Sequence, residues 1–215
     1  MKIRNGFVSN SSSSSFILYF KEKPKNEEEL KHLIFDENNI KNSIVGGEEY
    51  NGLVFPIDMI TNTVFNDIDY ESNITVDNFL EKFKDDLYPS EYNIYEIKTL
   101  FENLDIKYNF DEIEIELEKI GREKHDERYE LIRNINNYTE EEYDNRFNKF
   151  YEKYDSKIEK IADEIYGVFL PIFKEKCKDN IFYEVEYSDN DGEYFSFIEH
   201  SGVLDRITLM KINKH

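Results

Sequence analysis

The fold of this chain is decided by residues 139–168, which have the sequence TEEEYDNRFNKFYEKYDSKIEKIADEIYGV. The large apolar and aromatic residues of this stretch recur at spacings of three and four: Tyr143, Phe147, Phe150, Tyr154, Ile158, Ile161, Ile165 and Val168. That spacing is typical of one face of an α-helix, and here it continues for about seven turns. Thr139 and Glu142 have the spacing of a capping box, so we expect the helix to begin there.

A second helix is predicted immediately before this one. Its apolar residues are Ile113, Leu117, Ile120, Leu131, Ile132 and Ile135. Only a short linker at residues 136–138 separates the two helices, and helices joined by a short linker pack antiparallel. We therefore predict a helical hairpin over residues 111–177. Packing into the protein's own core explains the apolar stripe, and the alternative is the seam of a homodimer.

Strand-forming sequences lie at both ends of the chain. Residues 16–20 (FILYF) predict a short buried strand. Three further segments follow near the C-terminus, at 181–188 (IFYEVEYS), 193–200 (EYFSFIEH) and 206–212 (RITLMKI). Turn residues separate them, so residues 180–213 are expected to form a β-meander. The predicted fold class is α+β, a single domain over residues 1–215, with the long hairpin and a small, mostly antiparallel sheet.

The composition of the chain is strongly acidic. Its 215 residues include 47 acidic and 27 basic residues, for a formal net charge of -20. Residues 1–25 carry a net charge of +4, whereas residues 26–110 carry -13. A hydrophobic fraction of 39%, with 17 Phe and 16 Tyr, predicts a folded protein. The acid excess disfavours direct nucleic-acid binding, because phosphate backbones require basic surfaces.

Several classes of protein are excluded by simple patterns. No run approaches about 18 consecutive apolar residues, so we expect no membrane contact, and residues 1–10 lack the apolar core of a signal peptide. Cys177 is the single cysteine, which excludes an internal disulfide framework and a multi-cysteine zinc site.

We expect a protein of the host-cell cytoplasm that needs no cofactor. The chain has no H-E-x-x-H, G-x-S-x-G or P-loop motif, so we assign no catalytic residue and favour a non-enzymatic role.

The most distinctive motif lies at the N-terminus. The sequence RNGFVSN of residues 4–10 precedes five serines, Ser11–Ser15, and then Phe16. This segment resembles an N-terminal motif shared by many uncharacterised proteins of bacteriophages and low-GC bacteria. The resemblance covers about the first 17 residues. It implies a phage or mobile-element setting and no known activity.

Two polar segments are candidates for a binding site. The first comprises Asn10, Ser11, Ser12, Ser13 and Ser14, whose hydroxyl and backbone N–H groups can hold an anion. The second comprises Asp189, Asp191, Glu193, Glu199, His200 and His215, which have the chemistry to bind a divalent cation or to transfer protons. Structural alternatives are a loop that leads into a central strand and a simple hairpin turn. From the second segment we select Asp189, Asp191, Glu199 and His200 as binding candidates, and we leave the identity of any metal open.

Three hypotheses about function follow from these patterns. The first, which we prefer, is an acidic phage or mobile-element accessory protein that binds a host or phage protein. A more specific version of this hypothesis is that the acidic protein imitates nucleic acid and inhibits a host-defence or nucleic-acid-binding factor. The second is an enzyme, or a metal- or phosphate-binding protein, with a site between the Ser-rich segment and the C-terminal DNDG and EH residues. The third is a structural oligomeric component that dimerises through the hairpin.

Overall fold

The computed structural model describes residues 13–47, 52–71, 73–90 and 93–214. Asn10, Ser11, Ser12 and His215 lie outside these residues, as does most of the N-terminal motif. The chain divides into two compact units. The first contains Met1–Leu80 and Asp179–His215, and the second contains Glu81–Lys178. A single domain over residues 1–215 therefore stays a prediction.

The described residues form eight α-helices and five strands. The helices are α1 (Glu27–Ile34), α2 (Glu37–Asn42), α3 (Ile57–Tyr70), α4 (Val76–Lys82), α5 (Ile94–Asn103), α6 (Asp111–Arg133), α7 (Glu140–Lys176) and α8 (Glu193–His200). The strands are β1 (Ser13–Phe20), β2 (Ile44–Gly46), β3 (Val54–Pro56), β4 (Ile181–Ser188) and β5 (Thr208–Lys214). None of the described helices combines the length and the apolar character that crossing a membrane requires.

The main sheet of the first unit has β1 at its centre. Its strand order is β4-β1-β5, and both pairings are antiparallel. Ser13 lies opposite Ser188 on one side and Lys214 on the other. Strands β2 and β3 form a separate antiparallel pair. The α+β class and the antiparallel sheet with an N-terminal strand are thus confirmed, although β1 begins three residues earlier than predicted and includes Ser13, Ser14 and Ser15.

The predicted β-meander is wrong in its middle segment. Residues 193–200 form helix α8, and a short 3₁₀ helix at Asp189–Asp191 precedes it. Because β4 and β5 are each antiparallel to β1, they run parallel to one another, and parallel strands need a crossover connection instead of a hairpin. Gly192, at φ +107°, makes the turn that leads from the 3₁₀ helix into α8.

One face of β1 supplies the core of the first unit. Ser14, Phe16, Leu18 and Phe20 alternate along this face. The three apolar residues pack in a buried cluster with side chains of α1, α3, β4 and α8. Ser14 continues the same face toward the start of the strand, so its hydroxyl is directed at the layer that contains α8.

The second unit contains the predicted hairpin. Helices α6 and α7 are joined through a 3₁₀ turn at Ile135–Asn137 and pack antiparallel, as the ion pairs Glu127–Lys153 and Glu123–Lys157 show. The Thr139 capping box is formed in both directions. The apolar stripe of α7 is buried at Phe150, Tyr154, Ile161 and Ile165. The hairpin over residues 111–177 is therefore confirmed.

Candidate functional site

The structure brings Ser14 and Glu199 into direct contact although they are 185 residues apart. Ser14 lies in β1 and Glu199 in α8, which packs on the same face of the sheet. The Ser14 hydroxyl donates a hydrogen bond of 2.8 Å to Glu199 Oε1. Ser14 Oγ also lies 3.3 Å from Asn213 Oδ1 of β5. A hydroxyl has a single proton, so the shorter and charge-assisted bond to the carboxylate is the stronger of the two.

The Glu199 carboxylate is almost entirely removed from solvent. Its side chain is 1% exposed, and Oε2 accepts no hydrogen bond from the described residues. Nε2 of His200, which is half-exposed, lies 3.5 Å from that oxygen. Burying a carboxylate oxygen without a hydrogen-bond donor costs free energy, so Oε2 of Glu199 is an energetically unfavourable group in the fold.

Lys211 of β5 lies beside Glu199. Its Nζ donates a 2.7 Å hydrogen bond to the backbone oxygen of Glu199 and lies 5.3 Å from the Phe16 ring centroid. Burial lowers the pKa of Lys211, and the negative charges of Glu199 and Asp205 oppose that shift. We call Ser14, Glu199, His200, Lys211 and Asn213 the polar corner. Its arrangement ties β1, α8 and β5 together.

The other predicted site residues are less closely connected. Ser13 is half-buried at the start of β1. Asp189 and Asp191 lie in the 3₁₀ helix before α8, and Asp191 is exposed. Among the described residues, no group of three or more His, Cys, Asp or Glu side chains is placed to hold a metal ion. The C-terminal segment therefore gains no support as a metal site.

A second candidate site, which sequence reasoning missed, lies on the hairpin of the second unit. A groove of about 350 Å³ is lined by Ser90, Leu117, Ile120, Gly121, Lys124, His125, Arg128, Tyr151 and Ile158. We call it the hairpin groove. Leu117 and Ile120 are buried at its base, whereas Tyr151 is 37% exposed.

The basic side chains of the hairpin groove lack the ion pairs that other basic side chains of α6 form. On α6, Lys119 pairs with Glu116 and Arg122 pairs with Glu118. Lys124 and Arg128 form no ion pair with any described carboxylate. Lys124 Nζ instead lies 5.6 Å from the centroid of the Tyr151 ring. In the sequence, the signal for this site is the pair Lys124 and Arg128, four residues apart and close to Gly121. The acidic residues of the same segment, REKHDER, make this pair hard to recognise as a basic site.

Comparison with known proteins adds no relative. No protein-family model matches the chain, and neither a curated protein nor a solved structure matches it. The resemblance of the N-terminal motif to phage and low-GC bacterial proteins accordingly stays a prediction.

Proposed function

We propose that this protein acts by binding another protein through the outer part of its helical hairpin. We call residues 121–149 the distal hairpin. None of its side chains is buried. Its surface nevertheless includes large apolar groups: Tyr129 is 60% exposed, Ile132 47% and Ile135 45%. This exposed apolar surface on a pair of packed helices is the observation that carries the proposal.

Contacts within and between α6 and α7 order the distal hairpin. Tyr143 stacks on Phe147 with ring centroids 5.3 Å apart, and Phe147 stacks on Phe150 at 5.9 Å. Lys153 bridges to Glu127 across the two helices at 2.5 Å. Because these contacts order the helices before any partner arrives, binding would cost little conformational entropy. A preformed surface of this kind favours recognition of a protein.

The enzyme hypothesis receives less support from the geometry. Ser14 is 1% exposed and Glu199 is 2% exposed, so a substrate does not reach either group without displacement of β1 or α8. A general base must come within hydrogen-bond distance of the proton that it removes. The polar corner is better explained as a tie between elements of the fold. A phage or mobile-element setting, and imitation of nucleic acid by the acidic surface, stay hypotheses about which protein is bound.

The proposal is tested by site-specific photo-cross-linking in a low-GC bacterial host. A benzophenone amino acid replaces Ile132, and in a matched variant it replaces Tyr70, which is 90% exposed in the first unit. We expect a discrete heteromeric adduct from position 132 and none from position 70. Equal adducts from both positions, no adduct from position 132, or adducts only between two copies of this chain would contradict the proposal.

A further inference from the structure

We infer that the hairpin groove binds an acidic amphipathic helix of a partner protein, with Lys124 and Arg128 pairing with two of its carboxylates. This inference rests on the proposed protein-binding function and names the chemistry of the partner. A helix that lies in a groove between two others is a recurring mode of peptide recognition. The argument comes from the charge, the dimensions and the lining of the groove.

The charge of the groove is opposite to that of its surroundings. The second unit contains 26 acidic and 17 basic residues, a net charge of -9. Among the described residues, the groove is lined by Lys124, His125 and Arg128 and by no acidic side chain. The other cations of α6 that face solvent are matched with carboxylates one turn away, as at Lys119 and Arg122. Lys124 and Arg128 therefore remain available for the carboxylates of a partner.

The dimensions of the groove match those of a short helix. Its α6 lining runs from Leu117 to Arg128, which at about 1.5 Å per residue is roughly 16 Å, or three helical turns. Lys124 and Arg128 are four residues apart, about 6 Å along the axis, which is the separation of carboxylates at positions i and i+4 of a partner helix. Tyr151, which is 37% exposed, and the half-buried Ile158 supply the apolar surface for the partner's apolar side chains. Gly121 lies among these residues and has no side chain to keep the partner away.

An acidic protein segment fits this groove better than a nucleic acid does. A duplex carries one phosphate charge per about 1.7 Å, and its binding requires a long basic footprint. Here two cations cover one helical turn, and Glu123 and Glu127 occupy the same stretch of α6. A helix that presents two carboxylates and otherwise apolar contacts is matched to two cations. A longer polyanion would be repelled by the remainder of the unit.

The inference is tested by titrating the full chain with synthetic helices. The first peptide has 16 residues, an apolar stripe and Glu at two positions four residues apart beside that stripe. The second has Lys at those two positions, and a single-stranded oligonucleotide serves as a third probe. We expect the Glu peptide to bind at least about tenfold more tightly than the Lys peptide, because the charge pairs are attractive in one case and repulsive in the other. Fluorescence anisotropy measures the three affinities.

Charge-reversal variants locate the binding. In K124E/R128E the preference is expected to invert, so that the Lys peptide binds more tightly than the Glu peptide. The matched variant K119E/R122E reverses two cations of α6 that do not line the groove, and its peptide preference should stay that of the native chain. Circular dichroism of both variants establishes that the helices are intact. Inversion of the preference also serves as a positive signal that a misfolded variant would not give.

Each of the remaining outcomes overturns the inference. Equal binding of both peptides, equal effects of the two double variants, or groove-dependent binding of the oligonucleotide would each do so. Self-association that disappears in K124E/R128E would identify a second copy of this chain as the occupant. If cross-links from position 132 persist in K124E/R128E while the peptide preference is absent, the protein-binding function survives and the acidic-helix partner does not.

Discussion

At the scale of single residues, adjacent serines of β1 have opposite roles. Ser14 and Ser15 are both buried, at 1% and 0% exposure. Successive side chains of a strand point to opposite faces, so Ser14 faces α8 while Ser15 faces the other side of the sheet. Ser14 donates to the Glu199 carboxylate, whereas Ser15 Oγ has no hydrogen-bond partner among the described residues. The run of serines therefore contains one structural hydroxyl beside one that its surroundings leave unsatisfied.

This difference predicts that only one of the two alanine substitutions destabilises the protein. Ser14→Ala removes the hydrogen-bond donor to a buried carboxylate and should lower the free energy of unfolding by about 1–3 kcal/mol. Ser15→Ala removes a buried hydroxyl that has no partner, and its effect should be neutral or slightly stabilising. Urea denaturation of the two variants measures both values. Equal losses from the two substitutions would show that the Ser14–Glu199 bond contributes nothing specific to stability.

The buried thiol gives a prediction about reactivity. Burial raises the pKa of Cys177 to about 11, and the positive charge of Lys176 opposes this shift. Because the thiolate is the reactive form, native Cys177 should react with iodoacetamide far more slowly at pH 8 than the unfolded chain does. The native thiol keeps its proton to higher pH than the unfolded thiol, so stability should fall as the pH rises past about 9. Alkylation at the same rate with and without denaturant would contradict burial of this group.

At the scale of helices and strands, α7 shows what sequence predicts well. Its apolar residues keep one helical period from Tyr143 to Val168, and its start is marked by the Thr139 capping box. Both signals are local. Its one irregularity is also visible in the sequence, since Pro171 lies inside the helix and has no N–H to donate to the carbonyl of Gly167.

The α8 segment shows where sequence prediction stops. Residues 193–200 (EYFSFIEH) have the aromatic and β-branched residues that are common in strands, but Tyr194, Phe197 and Ile198 also fit one face of a helix. Local pattern does not separate these two possibilities. What separates them is the insertion of β1 between β4 and β5, which requires a crossover. The Ser14–Glu199 contact depends on that same long-range pairing, so its geometry was beyond the reach of a single sequence.

A glycine substitution in α7 tests the stability of this element. A Cβ at Gly167 would meet no atom within 4 Å, so Gly167→Ala should raise the free energy of unfolding by about 0.5–1 kcal/mol through reduced entropy of the unfolded chain. Gly192→Ala is the matched control, because φ at Gly192 is +107° and alanine rarely adopts that conformation. Thermal unfolding of both variants should show shifts of opposite sign. A loss at Gly167 would mean that the helix needs glycine there.

At the scale of the whole molecule, the dominant property is negative charge. The first unit carries a net charge of -11 and the second carries -9. Like charges repel in the folded state and are farther apart in the unfolded chain, so this excess of acid lowers stability at low ionic strength. Within α6, Lys124 and Arg128 are the two Lys or Arg residues that form no ion pair with a described carboxylate, whereas Lys119, Arg122 and Arg133 each form one.

Salt should therefore stabilise the protein. Raising NaCl from about 20 mM to about 500 mM shortens the screening length several-fold, and the midpoint of thermal unfolding at pH 7 should increase. The same comparison near the calculated isoelectric point of about 4.6 provides the control. There the net charge is close to zero and the increase should largely disappear. An unchanged midpoint at pH 7 would show that the acidic groups are too far apart to repel one another appreciably.

The central position of β1 has a consequence for the order in which the protein folds during synthesis. Strand β1 is synthesised before the other described strands, but both of its partners lie beyond residue 180, so it has no strand to pair with until about 160 further residues have been made. At about 5–20 residues per second this delay is on the order of ten seconds or more. The second unit is contiguous in sequence and is free to fold during that interval. The apolar segment FILYF has no partner strand during that interval, and an unpaired apolar strand is a site of aggregation, so the protein should be most prone to aggregate while it is being synthesised.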